Sequence, residues 1–293
     1  MIVSTNTYNQ IITKIQNYKG HCRELENMLS DEFGLPKDTI LSIILNENKR
    51  KMKKSQHKTS NFTSKLYERY LSMKDSTDAS GVMLKLADEF DLPYALVAKL
   101  ILEKYYENVD STDSSSSKVA NIKQYLKDTT LIEEQDLAYD VFMCQLYDYQ
   151  YGSINDVIRQ SFGQEYEHYL QKIVKEKNLT FQSENDLRIY GYDKTPDIKL
   201  DVPFAVDGFV VNWIESKALF GDPEEHQNYT KDQYSSYWNR FGTGMVIYWL
   251  GMVDSIDDRS EKRFIVRYDF PQDIMLTDPL KIAKVPQQLV ENT

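Results

Sequence analysis

Polar and apolar positions along this 293-residue chain follow two regimes. Up to about residue 177, apolar side chains recur at intervals of three and four, the spacing of amphipathic helices. "FGQEYEHYLQKIVKEKN", residues 162–178, is the clearest case: Phe162, Tyr166, Leu170, Ile173 and Val174 form one stripe, with Glu165 at its border. From residue 195 the period changes to two. That predicts strands at 197–206, 209–219, 244–253 and 263–270, with a helix at about 223–240 between the second and third. The order helix, strand, strand, helix, strand implies an α+β fold, with an N-terminal all-helical domain and a C-terminal α/β core built on a mixed sheet.

A repeat organises the first third. "LSDEFGLPKDTILSIILNEN", residues 29–48, aligns without gaps on "LADEFDLPYALVAKLILEKY", residues 86–105, with eight identities in twenty. Each copy reads as a helix ending near Phe, a short turn, Pro opening a second helix, then apolar positions at helical spacing. This is the outline of a helix-turn-helix, whose second helix can enter a DNA major groove, and equally of a plain packing unit. A serine-rich run, "DSTDSSSSK" at 110–118, buries too little apolar area to order itself and reads as a linker. The expected division is therefore 1–118, helical with two helix-turn-helix units, and 119–293, the α/β domain.

Charge sharpens this picture. The net charge of −10 conceals a basic head: residues 1–75 carry 13 Lys and Arg against 8 Asp and Glu, residues 76–118 carry 4 against 8, and the remainder 18 against 29. A basic head on an acidic body argues for a local anion-binding element rather than a protein that coats nucleic acid. The steepest part is "KRKMKKSQHK", 49–58. Lys49, Arg50, Lys51, Lys53 and Lys54 are candidates for phosphate contact or nuclear import, against the ordinary reading of cations at a helix C-terminus. No apolar run approaches the length needed to cross a bilayer, so a soluble, intracellular protein is expected. Cys22 and Cys144 lie in no C-x-x-C and the four histidines share no ligand spacing, which argues against disulfides and against cysteine or histidine zinc sites.

The candidate chemistry lies in "TPDIKLDVPFAVDGFVVNWIESK", residues 195–217, two strands around Asp207-Gly208. Glu215 and Lys217 project to one face of the second strand because side chains repeat every two residues. A two-residue loop would put Asp197 opposite position 218, on the wrong face. A three-residue loop, 206–208 with Gly208 left-handed, would put it opposite Lys217 and is the expected geometry. Two carboxylates beside a lysine suit a hard divalent cation bridging to phosphate: oxygen donors hold the ion, the ion acidifies a bound water, and the lysine orients or helps deprotonate that water and offsets transition-state charge. E-x-K alone is weak, since Glu47-Asn48-Lys49 also matches; Pro-Asp, present once in the chain, on the preceding strand makes the combination specific.

The "TPD" and "ESK" pair resembles the PD-(D/E)XK nuclease superfamily. "GYDKTPD", "WIESK" and "DQYSSYWNRFG" resemble the codanin-interacting nuclease family, the TPD-motif proteins. The resemblance spans nearly the whole chain, weakening after about residue 270, and implies a restriction-endonuclease-like core. It also implies Asp197 and Glu215 as metal ligands, Lys217 as the catalytic lysine, and Glu165 as a further catalytic and metal-binding acid on the preceding helix, with Glu167 an open alternative. Gln233 and Tyr237 match a Q-x-x-x-Y helix of related nucleases and, with Arg240, are candidate substrate contacts; a helix surface with buried aromatics is the competing account of the first two. Trp213, Trp238, Trp249, Tyr234 and Tyr248 could stack on bases, although Trp213 and Trp249 read as core.

The resulting expectation is a nuclease using Mg²⁺, or Mn²⁺ in its place, on DNA phosphodiesters. It would act with a codanin-like partner in nucleus and cytoplasm, away from membranes. The alternatives are a catalytically silent scaffold that works by protein binding and a DNA-binding regulator.

Overall fold

The computed structural model describes residues 1–18, 22–55, 60–76, 81–109, 115–148, 152–258 and 260–276. They form two compact units, one made of residues 1–47 with 162–276 and the other of residues 48–161. The division in packing thus differs from the expected division in sequence at 118/119. The chain leaves the first unit within one helix and returns to it within another.

The first unit begins with β1 (Ile2–Val3), α1 (Thr5–Asn17), α2 (Cys22–Phe33) and the start of α3 (Lys37–Ser55). Ser4 caps α1 by accepting from the Thr7 N–H. Gly34, at φ 63°, turns the chain out of α2, a conformation that glycine adopts without strain. α2 and α3 are therefore the expected helix-turn-helix. Leu25, Leu29, Ile40, Ile43 and Ile44 pack in one cluster with Phe220 and Val253 from the C-terminal part. Polar contacts fix the same junction: Thr39 Oγ1 donates to the Leu250 carbonyl, the Phe220 N–H to Ser42 Oγ, and Asn46 Nδ2 to Asp222 Oδ2.

The second unit holds α4 (Ser60–Ser76), α5 (Val82–Phe90), α6 (Tyr94–Val109), α7 (Ser115–Lys127), α8 (Gln135–Tyr147) and the start of α9 (Ser153–Glu176). α5 and α6 are the second helix-turn-helix, with Asp91 at φ 50° in the place of Gly34. They share a core of Leu66, Leu86, Val97, Ile101, Val141 and Cys144. Among the described residues Cys144 is a buried, unpaired thiol. Of the expected linker, residues 110–114 lie outside the described residues, and 115–118 open α7 rather than a coil.

Past α9 come β2 (Phe181–Ser183), α10 (Glu184–Ile189), β3 (Ile198–Val206) and β4 (Phe209–Lys217). The helix expected at 223–240 is α11 (Pro223–Tyr229), a π-helical turn at 230–234 and α12 (Ser235–Phe241). β5 (Gly244–Tyr248), β6 (Met252–Val253), β7 (Phe264–Arg267) and β8 (Met275–Leu276) complete the unit. The sheet order is β2-β3-β4-β5-β7, with β8 on the hairpin half of β3. The first three strands are antiparallel, and β4, β5 and β7 run parallel. The fold is accordingly α+β with N-terminal helices and a mixed C-terminal sheet. The expected strand at 244–253 is broken by a turn at Gly251, φ 92°, after which β6 pairs with β1. Side chains alternate as period two requires: Ile214, Met245 and Ile247 pack toward Leu170 and Val174 of α9, while Trp213, Val246 and Tyr248 pack toward Tyr234 and Tyr237. Among the described residues no helix is long and apolar enough to cross a membrane.

Candidate active site

The β3–β4 hairpin decides where the acids meet. Its loop has two residues, Asp207 at φ 51° and Gly208 at φ 79°, and Val206 pairs with Phe209. Two successive positive φ values are those of a type I′ turn, whose twist matches the strands. The expected three-residue loop is therefore corrected. The register then shifts between Lys199 and Phe204, so that Lys199 faces Trp213 and Ile198 faces Ile214. β3 carries the extra residues of this bulge around Pro203, a residue that has no N–H to offer a ladder. Continuing the shifted register by one residue places Asp197 opposite Glu215. The acids do share an end of the sheet, but a bulge within the strand brings them there, not the turn.

Asp197 Oδ2 accepts from the Ser216 N–H at 2.7 Å. Lys217 Nζ donates to Glu215 Oε1 at 2.6 Å and to Gln233 Oε1 at 2.9 Å, and lies 4.5 Å from the centre of the Tyr229 ring. The side chains of Lys217 and Glu215 are 13% and 5% exposed, so the pair is enclosed rather than set on an open surface. Burial pushes the Asp197 carboxyl well above the usual range and the Glu215 charge adds to it, with Lys217 and the Ser216 N–H opposing. Burial by itself would lower the Lys217 ammonium, yet Glu215 and Asp197 together hold it above its ordinary value. The Tyr237 hydroxyl is raised by burial and then by the charges of Glu215 and Asp197.

The roof over this pair is one helix face. Tyr229, Gln233 and Tyr237 are four residues apart, and all three meet Lys217 or Glu215. Gln233 is thus a partner of the lysine, and Tyr237 is buried beside Glu215. Tyr229, which sequence reasoning missed, continues the same spacing one turn earlier. Arg240 is engaged elsewhere: it pairs with Asp193 at 2.5 Å and donates to the Lys194 carbonyl, holding the loop that leads into Thr195 and Asp197.

On α9 the two glutamates separate. Residues two apart on a helix point about 200° apart. Glu167 is half-buried, and its carboxyl is raised by burial, then by Glu184 and Glu215. It also acts on Asp197. Glu165 is exposed and its charge bears on Tyr166. The helix acid facing the cluster is therefore Glu167. Of the basic run, Lys49 is exposed, Arg50 half-buried, and Lys51 pairs with Asp91 at 3.2 Å. The side chains of Lys53 and Lys54 lie outside the described residues. Among the aromatics, Trp213, Tyr234 and Tyr248 are fully buried and cannot stack on a base. Trp249 is half-buried, stacks on Tyr166 and donates to Ser216 Oγ; Trp238 is 42% exposed.

Whether a divalent cation fits is a question of donors. Among the described residues no three His, Cys, Asp or Glu side chains gather as a ready ligand set. Mg²⁺, however, takes few protein ligands and keeps several waters. Two hard oxygen donors stand side by side here, and among the described residues Glu215 Oε2 is buried without a hydrogen-bond partner. A buried carboxylate oxygen left without a donor is costly unless something cationic reaches it. The residues fit such an ion.

A family model described as "Protein of unknown function TPD sequence-motif" matches residues 133–270, a span that contains Asp197, Glu215 and Lys217. The chain is 41% identical to the CDAN1-interacting nuclease 1 of Homo sapiens over 239 residues, 81% of this chain and 84% of that one. It is 40% identical to its Danio rerio counterpart over 242 residues, 82% and 80% of the two chains, and 36% identical to that of Xenopus tropicalis over 278 residues, 94% and 90%. No solved structure gives a significant match.

Proposed function

The chain belongs to the family of the CDAN1-interacting nuclease 1 proteins, and on that premise we propose that it is a divalent-metal-dependent nuclease that hydrolyses DNA phosphodiester bonds and works with a codanin-like protein partner. One observation supports the chemistry above all: Asp197, Glu215 and Lys217 converge at one end of β3 and β4 beneath the Tyr229, Gln233, Tyr237 face.

In this reading Asp197 and Glu215 would hold Mg²⁺, or Mn²⁺ in its place, with Glu167 beside them. When bound, such an ion polarises a phosphoryl oxygen and lowers the pKa of a water. Lys217 already donates to two acceptors, so it serves as an ammonium, offsetting charge that builds on phosphorus as water adds and one ester P–O bond breaks. Gln233 and the Tyr229 ring keep that ammonium in place. The water's protons end on the phosphate product and the departing alcohol.

The test is a cleavage assay of the purified chain on labelled junction, flap and single-stranded DNA, with Mg²⁺, Mn²⁺ or chelator. Metal-dependent cleavage that falls about 10²–10³-fold or more in Asp197→Asn and in Lys217→Met is the expected result. Cleavage that is equally fast in both variants would place the activity elsewhere. No cleavage by the parent chain would leave the fold as a protein-binding scaffold.

A further inference from the structure

The second compact unit carries a helix face that its own core does not use. α8 buries Leu137, Val141 and Cys144, yet Tyr139, Phe142, Leu146 and Tyr147 on its other side are 46%, 46%, 52% and 47% exposed. A helix at a protein surface ordinarily turns polar residues to water; adjoining large apolar side chains left exposed mark a surface that something else covers. Their spacing names the shape of the occupant. Tyr139 to Phe142 is a step of three and Phe142 to Leu146 a step of four, the alternation at which a second helix sets its side chains into the gaps of the first.

Charge names its chemistry. From residue 128 to residue 156 the chain has seven acidic residues and neither lysine nor arginine. Two of the acids are spent inside the unit: Asp140 accepts from the Gly81 N–H and Asp148 from the Ala95 N–H. Glu134 pairs with Lys74 at 2.7 Å. Glu133 is exposed at the N-terminal end of the apolar seam, as is Asp136, whose side chain is 81% exposed and 3.8 Å from the same lysine.

We propose that this face of α8 docks a basic amphipathic helix of a partner protein, whose apolar side chains at three-four spacing fill the seam and whose lysines or arginines face Glu133 and Asp136. A second copy of the chain answers the apolar seam but not its charge, because the same helix brings acids and no base. The docking surface lies outside the candidate active site and stands or falls independently of cleavage.

The test uses the full chain and two fluorescent peptides of about 18 residues. Both carry leucine at the three-four positions; one has a Lys and Arg rim and the other a Glu rim. In anisotropy titrations the basic peptide should bind at least about ten-fold tighter, and added salt should weaken it. Phe142→Ser with Leu146→Ser should weaken binding at least about ten-fold with no fall in Tm, since both side chains are exposed. Glu133→Lys with Asp136→Lys should reverse the preference between peptides. Equal binding of the two peptides, binding of neither, or unchanged affinity in the serine variant overturns the proposal. So does sedimentation that shows a dimer which the serine variant dissolves, because the face would then belong to a second copy.

Discussion

Lys217 illustrates how burial changes the meaning of a side chain. A lysine at the end of a strand, two residues from a candidate acid, has the sequence context of a surface residue. Its side chain is in fact 13% exposed and bonded to a glutamate that is 5% exposed. Removing one partner of an enclosed ion pair strands the other, at about 3–5 kcal/mol. Lys217→Met should therefore lower stability as well as any cleavage, and Lys217→Met combined with Glu215→Gln should cost less than the sum of the single changes. Urea unfolding of the four proteins checks this; additive losses would mean the pair is not coupled. His226 offers a second residue-scale prediction. Burial lowers its pKa to about 4, and its Nδ1 lies 3.0 Å from the Tyr248 hydroxyl. The unfolded histidine titrates near 6.5, so between those values the unfolded chain binds the extra proton and acidification favours unfolding. Its contribution is complete above about pH 6.5 and lost as pH falls to about 4, a drop of up to about 3 kcal/mol. His226→Gln should flatten Tm against pH in that window.

Among elements, β5 depends on close fit. Gly244 opens β5 against the Trp213 ring, where an added Cβ would lie 2.1 Å from the ring carbons. The indole cannot retreat, because its Nε1 donates to the Gly242 carbonyl at 2.8 Å and its ring packs on Tyr237 and Phe264. Gly244→Ala should cost at least about 3 kcal/mol in denaturant unfolding, beyond the usual cost of overpacking. The period-two pattern made β3, β4 and the start of β5 legible, and the helix expected from about residue 223 does begin there as α11, with Asp222 capping the Glu224 and Glu225 N–H groups. The bulge in β3 was not legible. A turn sequence such as Asp-Gly specifies only the residues next to it, whereas an irregularity farther along the strand is set by neighbours on both sides: β2 pairs with 198–200 and β8 with 204–205.

For the molecule as a whole, the first 47 residues belong with the C-terminal sheet. Ile11, Leu29, Ile40, Ile43 and Ile44 cover Phe220 and Val253, and β1 adds a strand to β6. A fragment starting at residue 119 would expose that apolar surface and lose the polar ties of α3 to Phe220, Leu250 and Asp222. It should melt well below the full chain by circular dichroism, or aggregate; a fragment as stable as the parent would show that the N-terminal helices are dispensable to the sheet.

What the sequence determined by itself was everything encoded within a few residues. That covers the change of period near residue 195, both helix-turn-helix units, the strands that became β3, β4, β5 and β7, and the Asp, Glu and Lys as candidates, which the β3 bulge then brings to one end of the sheet. Tertiary structure decided what depends on residues far apart in the chain. It turned Glu167 rather than Glu165 toward the acids, closed Lys217 into an ion pair, drew Arg240 onto the Asp193 loop, and joined the N-terminal helices to the C-terminal sheet. The physical reason is one of range. Backbone preference and apolar periodicity act between neighbours in sequence, while burial, register and electrostatic environment are sums over every atom that packs nearby, and no local pattern records them.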